Sequence, residues 1–291
     1  MKPRIWLLLV LVTLTAARFW CLGRIELTPD EAYHALWAQH PDWCYYDKGP
    51  VIAMTIRAGT ELFGRTEFGV RFFSPLLALG TSLVLFVLAR KLYGEVIAIW
   101  TVVVLNVLPV FQSGSLGMAP GTISVFFWAA AMLTFWLALE RGPRLSFYWP
   151  ATGLLVGAGL LTEYVNAMVL VSIVLVLAST GKFRREFARP GFWLMLVVFI
   201  PFMIPAFRWN ARHEWITLLS WRGEFGADGF HPYGTLRWIT DCALGFSPLI
   251  FAGMLIAAWR GLKKARHQFK PRFLLLFSLP LIGLEILLSP W

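Results

Sequence analysis

Charge is scarce in this sequence. Of its 291 residues, 14% are Asp, Glu, Lys or Arg while 58% are hydrophobic, and the mean hydropathy is +0.66. A soluble domain of this length needs far more polar surface. Strand-like alternation of the outer-membrane barrel type is also missing, which excludes that class. The chain has no P-loop, no dinucleotide glycine fingerprint and no nucleophile elbow, so soluble nucleotide and hydrolase chemistry is excluded. Cysteine is sparse: Cys21, Cys44 and Cys242 are odd in number and show no metal-ligand spacing, leaving one disulfide or three isolated small residues as the alternatives. No internal repeat or low-complexity tract is present.

What the chain does have is long apolar runs, several of which approach or exceed the ~18 residues that cross a bilayer. The expected fold is therefore an all-α polytopic membrane protein. Roughly nine spans are predicted, at about 5–23, 69–89, 95–112, 122–139, 147–162, 164–180, 191–208, 236–259 and 273–290. The net charge of +10 does not point to nucleic acid, because 16 of the 26 basic residues stand in short clusters after alternate spans. These are Lys2 and Arg4; Arg90 and Lys91; Arg141 and Arg144; Lys182, Arg184, Arg185 and Arg189; and Arg260, Lys263, Lys264, Arg266, Lys270 and Arg272. Such a pattern encodes topology, with the N-terminus on the cytoplasmic side. The start, Met-Lys-Pro-Arg and then apolar, resembles a signal peptide, but the apolar run continues to about Gly23 and reads as an uncleaved anchor.

One polytopic domain over 1–291 is expected, with long loops on the outer face at about 24–68 and 209–235 and a shorter one at 113–121. The first loop holds "TPDEAYHALWAQHPDWCYYDKGP", with four carboxylates, two histidines and one lysine in 23 residues. Thr28-Pro29-Asp30-Glu31 predicts a helix start, with Thr28 as cap, proline at the first helical position and Glu31 closing a capping box. After Pro50, Ile52, Ile56, Gly59 and Phe63 recur on one helical face while Arg57 and Glu61 lie elsewhere, predicting an amphipathic helix at the membrane surface. Gly153, Gly157 and the small residues around them suit close helix packing.

Asp30 and Glu31 admit two readings: acids that complement the helix dipole, or a carboxylate placed to take a proton from an acceptor hydroxyl. His34 lies four residues after Asp30 and can share its face. Lys48, in "YYDKGP", is either a snorkelling interface lysine or a cation for a lipid phosphate. Tyr45 and Tyr46 suit an interfacial belt and a sugar-stacking surface equally. The loop over 208–234 gathers Arg208, Arg212 and Arg222 with aromatics, either as interface anchors or as a second phosphate- or sugar-binding wall. His34, His40, His213, His231 and His267 form no metal box, so the sequence supports no cofactor and leaves the need for a divalent metal open.

Taken in order, "TPDEAYHALWAQHPDWCYYDKGPVIAM", "GSLGMAPGTISVFFWAAAM" (114–132), "GAGLLTEYVNAM" (157–168) and "WNARHEW" (209–215) resemble GT-C glycosyltransferases of the protein O-mannosyltransferase and aminoarabinose (lipid A) transferase type, bacterial subgroup. The resemblance covers almost the whole chain. It implies a membrane enzyme that moves a sugar, with inversion, from a polyprenyl-phosphate donor to a hydroxyl-bearing acceptor at the outer face of the cytoplasmic membrane. Under it, Asp30 is the general base with Glu31 beside it. Lys48 contacts the donor phosphate, helped by one of Arg208, Arg212 or Arg222.

The chain departs from that subgroup where Thr-Pro-Asp becomes Ala119-Pro120-Gly121, removing a carboxylate. It departs again where Leu-(Thr/Ser)-Lys-Tyr becomes Leu161-Thr162-Glu163-Tyr164, reversing a charge at a depth where ionisable groups usually function. Relatives of this type run on into further spans beyond "LLSPW", so a truncated or short variant is expected. The alternatives are a non-catalytic relative that binds polyprenyl lipid or partners an active enzyme and, ranked below it, a transporter. Against a transporter stand the placement of most charges in loops and the lack of paired halves.

Overall fold

The computed structural model describes residues 3–142, 145–217, 219, 231 and 233–289. Among them every regular element is helical. Helix α1 (Pro3–Cys21) runs into a 3₁₀ turn over Leu22–Arg24. Three helices of the first loop follow, α2 (Pro29–Gln39), α3 (Val51–Phe63) and α4 (Glu67–Arg71). The last leads into α5 (Phe73–Tyr93). Next come α6 (Glu95–Val107), α7 (Pro109–Leu116), α8 (Pro120–Arg141) and α9 (Tyr148–Leu160). A 3₁₀ turn over Tyr164–Ala167 opens α10 (Met168–Ala178), after which α11 (Gly181–Arg184) and a turn over Arg185–Ala188 bend away by 113°. Helices α12 (Pro190–Phe199) and α13 (Met203–Arg212) follow, then α14 (Tyr233–Phe246), α15 (Pro248–Ala265) and α16 (Phe269–Leu288).

The expected count of nine spans is not confirmed. Among the described residues five unbroken helices are long and apolar enough to cross a membrane: Arg4–Arg24, Glu67–Tyr93, Pro120–Arg141, Pro190–Arg212 and Phe269–Leu288. The number rises to eight if each of three bent pairs is one span. The stretch expected as 95–112 breaks by 70° at Leu108, because Pro109 has no N–H and holds Leu108 in extended backbone. The stretch expected as 236–259 turns by 109° at Ser247, whose φ of 70° is left-handed and which also precedes a proline. The stretch expected as 147–162 yields α9, whose 13 residues rise only ~20 Å against a ~30 Å hydrocarbon layer.

Basic clusters gather at one end of the bundle. Arg4 pairs with Glu95, Lys91 with Glu140 at 2.7 Å, and Arg272 donates to Ser179 O at 3.1 Å and Ala265 O at 2.7 Å. Helix ends there expose carbonyls that cations satisfy. The first-loop helices lie at the other end of α1 and α5, called the loop face below. On it α3 buries Ile52, Ala53, Ile56 and Gly59 while Arg57 and Glu61 pair outward at 2.7 Å, as the periodicity predicts, whereas Phe63, expected on the buried face, is exposed at the helix end.

Between lipid-facing helices apolar burial gives no preference for contact, so fit decides packing. The largest core cluster joins α8, α9, α10, α12 and α16 through Phe135, Trp149, Ile173, Met195, Phe273 and Phe277. Gly153 makes the α9–α12 contact possible: a Cβ there would lie 2.2 Å from Met195 O, a backbone atom that cannot swing aside. Gly153→Ala should therefore cost about 1–3 kcal/mol through forced separation. Thermal unfolding of the purified protein in detergent checks this, and an unchanged midpoint would overturn it.

Candidate functional site

The first loop is fixed to the membrane helices by one carboxylate. The capping box forms as predicted: Thr28 Oγ1 accepts from Glu31 N at 3.3 Å, and Glu31 Oε2 accepts from Thr28 N at 2.9 Å. Glu31 then does more than a cap requires. Arg71 donates to it through Nε and Nη2, both at 2.6 Å, and Met118 N donates to Oε1 at 3.0 Å. The remaining Arg71 protons go to Leu22 O, Ile25 O and Glu26 O. Both side chains are 4% exposed. Burial pushes the Glu31 carboxyl up, but the Arg71 guanidinium and the N–H groups of Thr28 and Met118 outweigh it and hold the group below its ordinary value. One ion pair thus ties the end of α1, the start of α2, the head of the Glu67–Tyr93 helix and the 117–119 turn. Arg71 was not singled out from the sequence. The available signal was a full charge set one turn inside the head of a long apolar helix.

Glu31 is spent on that junction, which leaves Asp30 as the available carboxylate of the pair. Its side chain is 66% exposed, and the Nδ1 of His34 stands 3.8 Å from Oδ2, beyond hydrogen-bond range. His34 is buried, and that burial lowers its pKa against the pull of Asp30 and Asp47, so the ring is neutral at pH 7. It packs edge-on against Trp37 at 4.8 Å, and Trp37 stacks on Tyr45 at 4.5 Å and 2°. Tyr45 is buried, donating to Trp37 O and His40 O, whereas Tyr46 is 44% exposed. Of the two tyrosines, Tyr46 is therefore the one with a free face.

The Lys48 turn is held against a distant part of the chain. Tyr45 N donates to Lys48 O at 3.0 Å, and Val51 N donates to Leu161 O at 3.2 Å. Gly49 permits this approach, since a Cβ at that position would fall 2.0 Å from Leu161 O. The docking brings Lys48 Nζ to 4.0 Å from Glu163 Oε1, with Asp47 Oδ2 at 3.6 Å on the same ammonium. The reversed charge at Glu163 thus faces the proposed phosphate lysine itself.

Hollows lie at both ends of α2. At its start, a cavity of about 510 Å³ is lined by Asp30, Glu31, Ser115, Gly117 and Gly121 and closed by apolar residues such as Phe111. A Cβ on Gly121 would meet nothing within 4 Å, so the missing carboxylate leaves open space in the wall that Asp30 shares. At the other end of α2, a groove of about 560 Å³ contains Tyr45, Tyr46, Trp209, Arg212 and His213, and an adjoining hollow of about 280 Å³ adds Arg208 and Trp43. Trp209 Nε1 bridges to Asp42 Oδ2 at 2.8 Å, and His213 stacks on its ring at 4.0 Å. The structure therefore separates Asp30 from Arg208 and Arg212, placing them at hollows lined by opposite ends of one helix. Arg222 lies outside the described residues.

Comparison with known proteins agrees with this architecture. A profile of the dolichyl-phosphate-mannose-protein mannosyltransferase family matches residues 47–209, more than half of the chain. The chain is 28% identical over 291 aligned residues to the lipid A galacturonosyltransferase RgtD of Rhizobium johnstonii, covering 97% of this chain and 59% of that protein. It is 26% identical to an undecaprenyl phosphate-alpha-4-amino-4-deoxy-L-arabinose arabinosyl transferase of Pseudomonas paraeruginosa, over 81% of this chain and 44% of that one. The crystal structure of ArnT from Cupriavidus metallidurans bound to undecaprenyl phosphate superimposes with a TM-score of 0.71 at 19% identity, over 97% of this chain and 55% of that one. The chain thus spans less than two thirds of the length of each. Carrying the family's profile over more than half of its length, and folded as a GT-C membrane protein of the aminoarabinose-transferase type, this chain belongs to the dolichyl-phosphate-mannose-protein mannosyltransferase family.

Proposed function

We propose that the protein transfers a sugar from a polyprenyl-phosphate donor to an acceptor hydroxyl at the outer face of the cytoplasmic membrane, with the loop face outward and the basic end in the cytoplasm. The observation that carries this reading is the division of labour in the Asp30–Glu31 pair: Glu31 is locked to Arg71, and Asp30 is left exposed at the mouth of a cavity beside the spans. Asp30 takes the proton of the acceptor hydroxyl as its oxygen attacks the anomeric carbon. The bond from that carbon to the phosphate oxygen breaks, and the lipid phosphate leaves. A single displacement of this kind inverts the anomeric centre. Lys48, on a turn pinned by Gly49, stabilises the leaving phosphate, and Tyr46 offers its free ring to the sugar. The lipid A and undecaprenyl-phosphate sugar transferases among its relatives support this donor class and a lipid acceptor.

A second reading has one observation in its favour. Lys48 lies between Asp47 and Glu163, so the free site already neutralises the cation that a donor phosphate needs. On that reading the chain binds polyprenyl lipid without transfer. Membranes containing the protein, incubated with radiolabelled polyprenyl-phosphate sugars, separate the two: a labelled acceptor supports the enzyme, and binding without any labelled product supports the binder. In the enzyme, Lys48→Ala should raise the donor KM about tenfold or more, the scale of one lost charge-assisted bond, with a smaller effect on acceptor KM. An unchanged donor KM would remove Lys48 from the phosphate site.

A further inference from the structure

Arg18 lies one turn from the end of α1, yet it is 4% exposed and does not reach for the surface. Its Nη2 donates to Asn106 Oδ1 at 2.9 Å and Gln112 Oε1 at 3.1 Å. Its Nε is buried without a partner, and no carboxylate pairs with it among the described residues. A buried cation held by two neutral amides and the ring of Phe111, 5.9 Å from its Cζ, still lacks a counter-charge and is costly, and an ionisable group inside a membrane span is functional by default.

Its two partners stand on either side of a broken helix. Asn106 is the penultimate residue of α6 and Gln112 is on α7, with the 70° bend at Leu108 between them. The bend at Leu108 turns the N–H of residue 110, the donor a continuous helix would supply, away from the Asn106 carbonyl, and the Gln112 side-chain amide donates to it instead. Asn106 is in turn anchored to α5 through Ser82 Oγ at 3.0 Å, and Ser115 donates to Gln112 O at 2.8 Å. In a membrane every such group needs an internal partner, and here the repair converges on one guanidinium. Beyond the break, α7 leads to Ser115 and Gly117 in the wall of the Asp30 cavity and to Met118, whose N–H bonds Glu31.

We propose that Arg18 is a positioning residue for transfer at Asp30: by clamping both sides of the α6–α7 break it fixes the angle of α7 and hence the cavity wall opposite Asp30. This rests on the reading of Asp30 given above. Arg18 itself does not line that cavity; its guanidinium faces the ring of Phe111, an α7 residue that does, so it acts through α7.

Hydrogen–deuterium exchange and transfer kinetics on the full chain in detergent test it together. Arg18→Met should speed amide exchange across residues 105–119 about tenfold or more while α9 and α12 keep wild-type protection. It should lower kcat by a similar factor with donor KM little changed. Gln112→Leu cuts the same link from the other side and should give the same local exchange pattern, which keeps the test open if Arg18→Met does not fold. Arg18→Lys retains donors for both amides and should recover part of both signals. Wild-type exchange over 105–119 in Arg18→Met and Gln112→Leu would overturn the clamp. Faster exchange with unchanged kcat would overturn its role in transfer, and so would exchange that rises equally throughout the chain. If the wild-type protein transfers nothing, the reading of Asp30 falls, the role in transfer falls with it, and exchange alone decides the clamp.

Discussion

Asp30→Asn should leave the protein folded in membranes and reduce sugar transfer by about 10²- to 10⁴-fold, the usual contribution of a positioned general base. The two side chains match in size and both suit the first turn of a helix, so α2 and its capping box have no reason to change. The 66% exposure of the side chain means that no buried partner is orphaned. Stability should therefore stay within about 0.5 kcal/mol of wild type, as for most exposed substitutions. What the amide cannot do is accept a proton from the attacking hydroxyl. The loss should appear in kcat more than in donor KM, because the missing interaction belongs to the transition state. Initial rates with a radiolabelled donor, beside a thermal unfolding curve for each protein, measure both halves. Wild-type transfer by Asp30→Asn would sink the assignment of the base.

The second large effect concerns the neighbouring junction. Arg71→Met should cost about 3–5 kcal/mol, because it leaves the buried Glu31 charge unpaired and orphans three backbone carbonyls. Arg71→Lys keeps the charge but cannot reproduce a fork that serves both Glu31 oxygens and Leu22, Ile25 and Glu26, so it should recover only part of the loss. The pair also predicts a pH response. The folded pKa of Glu31 is depressed, so its contribution is fully present above the unfolded value of about 4.5 and drains away as pH falls through the lower folded value. In Arg71→Met the sign reverses: a buried, unpaired carboxyl has a raised pKa, so mild acid should restore stability. Unfolding midpoints of wild type, Arg71→Met and Arg71→Lys across pH 4–7 test this. A midpoint for Arg71→Met equal to wild type would show that the junction contributes nothing.

How much of this was legible before the fold depends on the range of the interaction. Thr28, Glu31 and the amphipathic face of α3 interact within four residues, and local spacing revealed them. The breaks at Leu108 and Ser247 carried proline flags at Pro109 and Pro248, but hydropathy over a window passes across a proline without a step. Arg71 and Arg18 were invisible as anchors because their partners lie 40 to 94 residues away, and nothing periodic links them. Lys48 and Glu163 were each noted as charges, yet their meeting depends on a glycine that lets two backbones touch. The separation of hollows to the two ends of α2 could not be foreseen, since the loop's polar residues read as one group.

The wide sequence separation of the contacts around α2 bears on how the protein is made. The Glu31 carboxylate acquires Arg71 only after 40 further residues and the Met118 N–H after 87. The Lys48 turn finds its seat on Leu161 later still. At ~5–20 residues per second, the wait for Met118 alone lasts roughly 4–17 s. Through that interval an acidic helix stands at the membrane surface with its last ligands unsynthesised. The loop is synthesised well before the segments that hold it, among them Trp209, whose indole bonds Asp42 across 167 residues, so the loop takes its final form only after the helices through α13 are made.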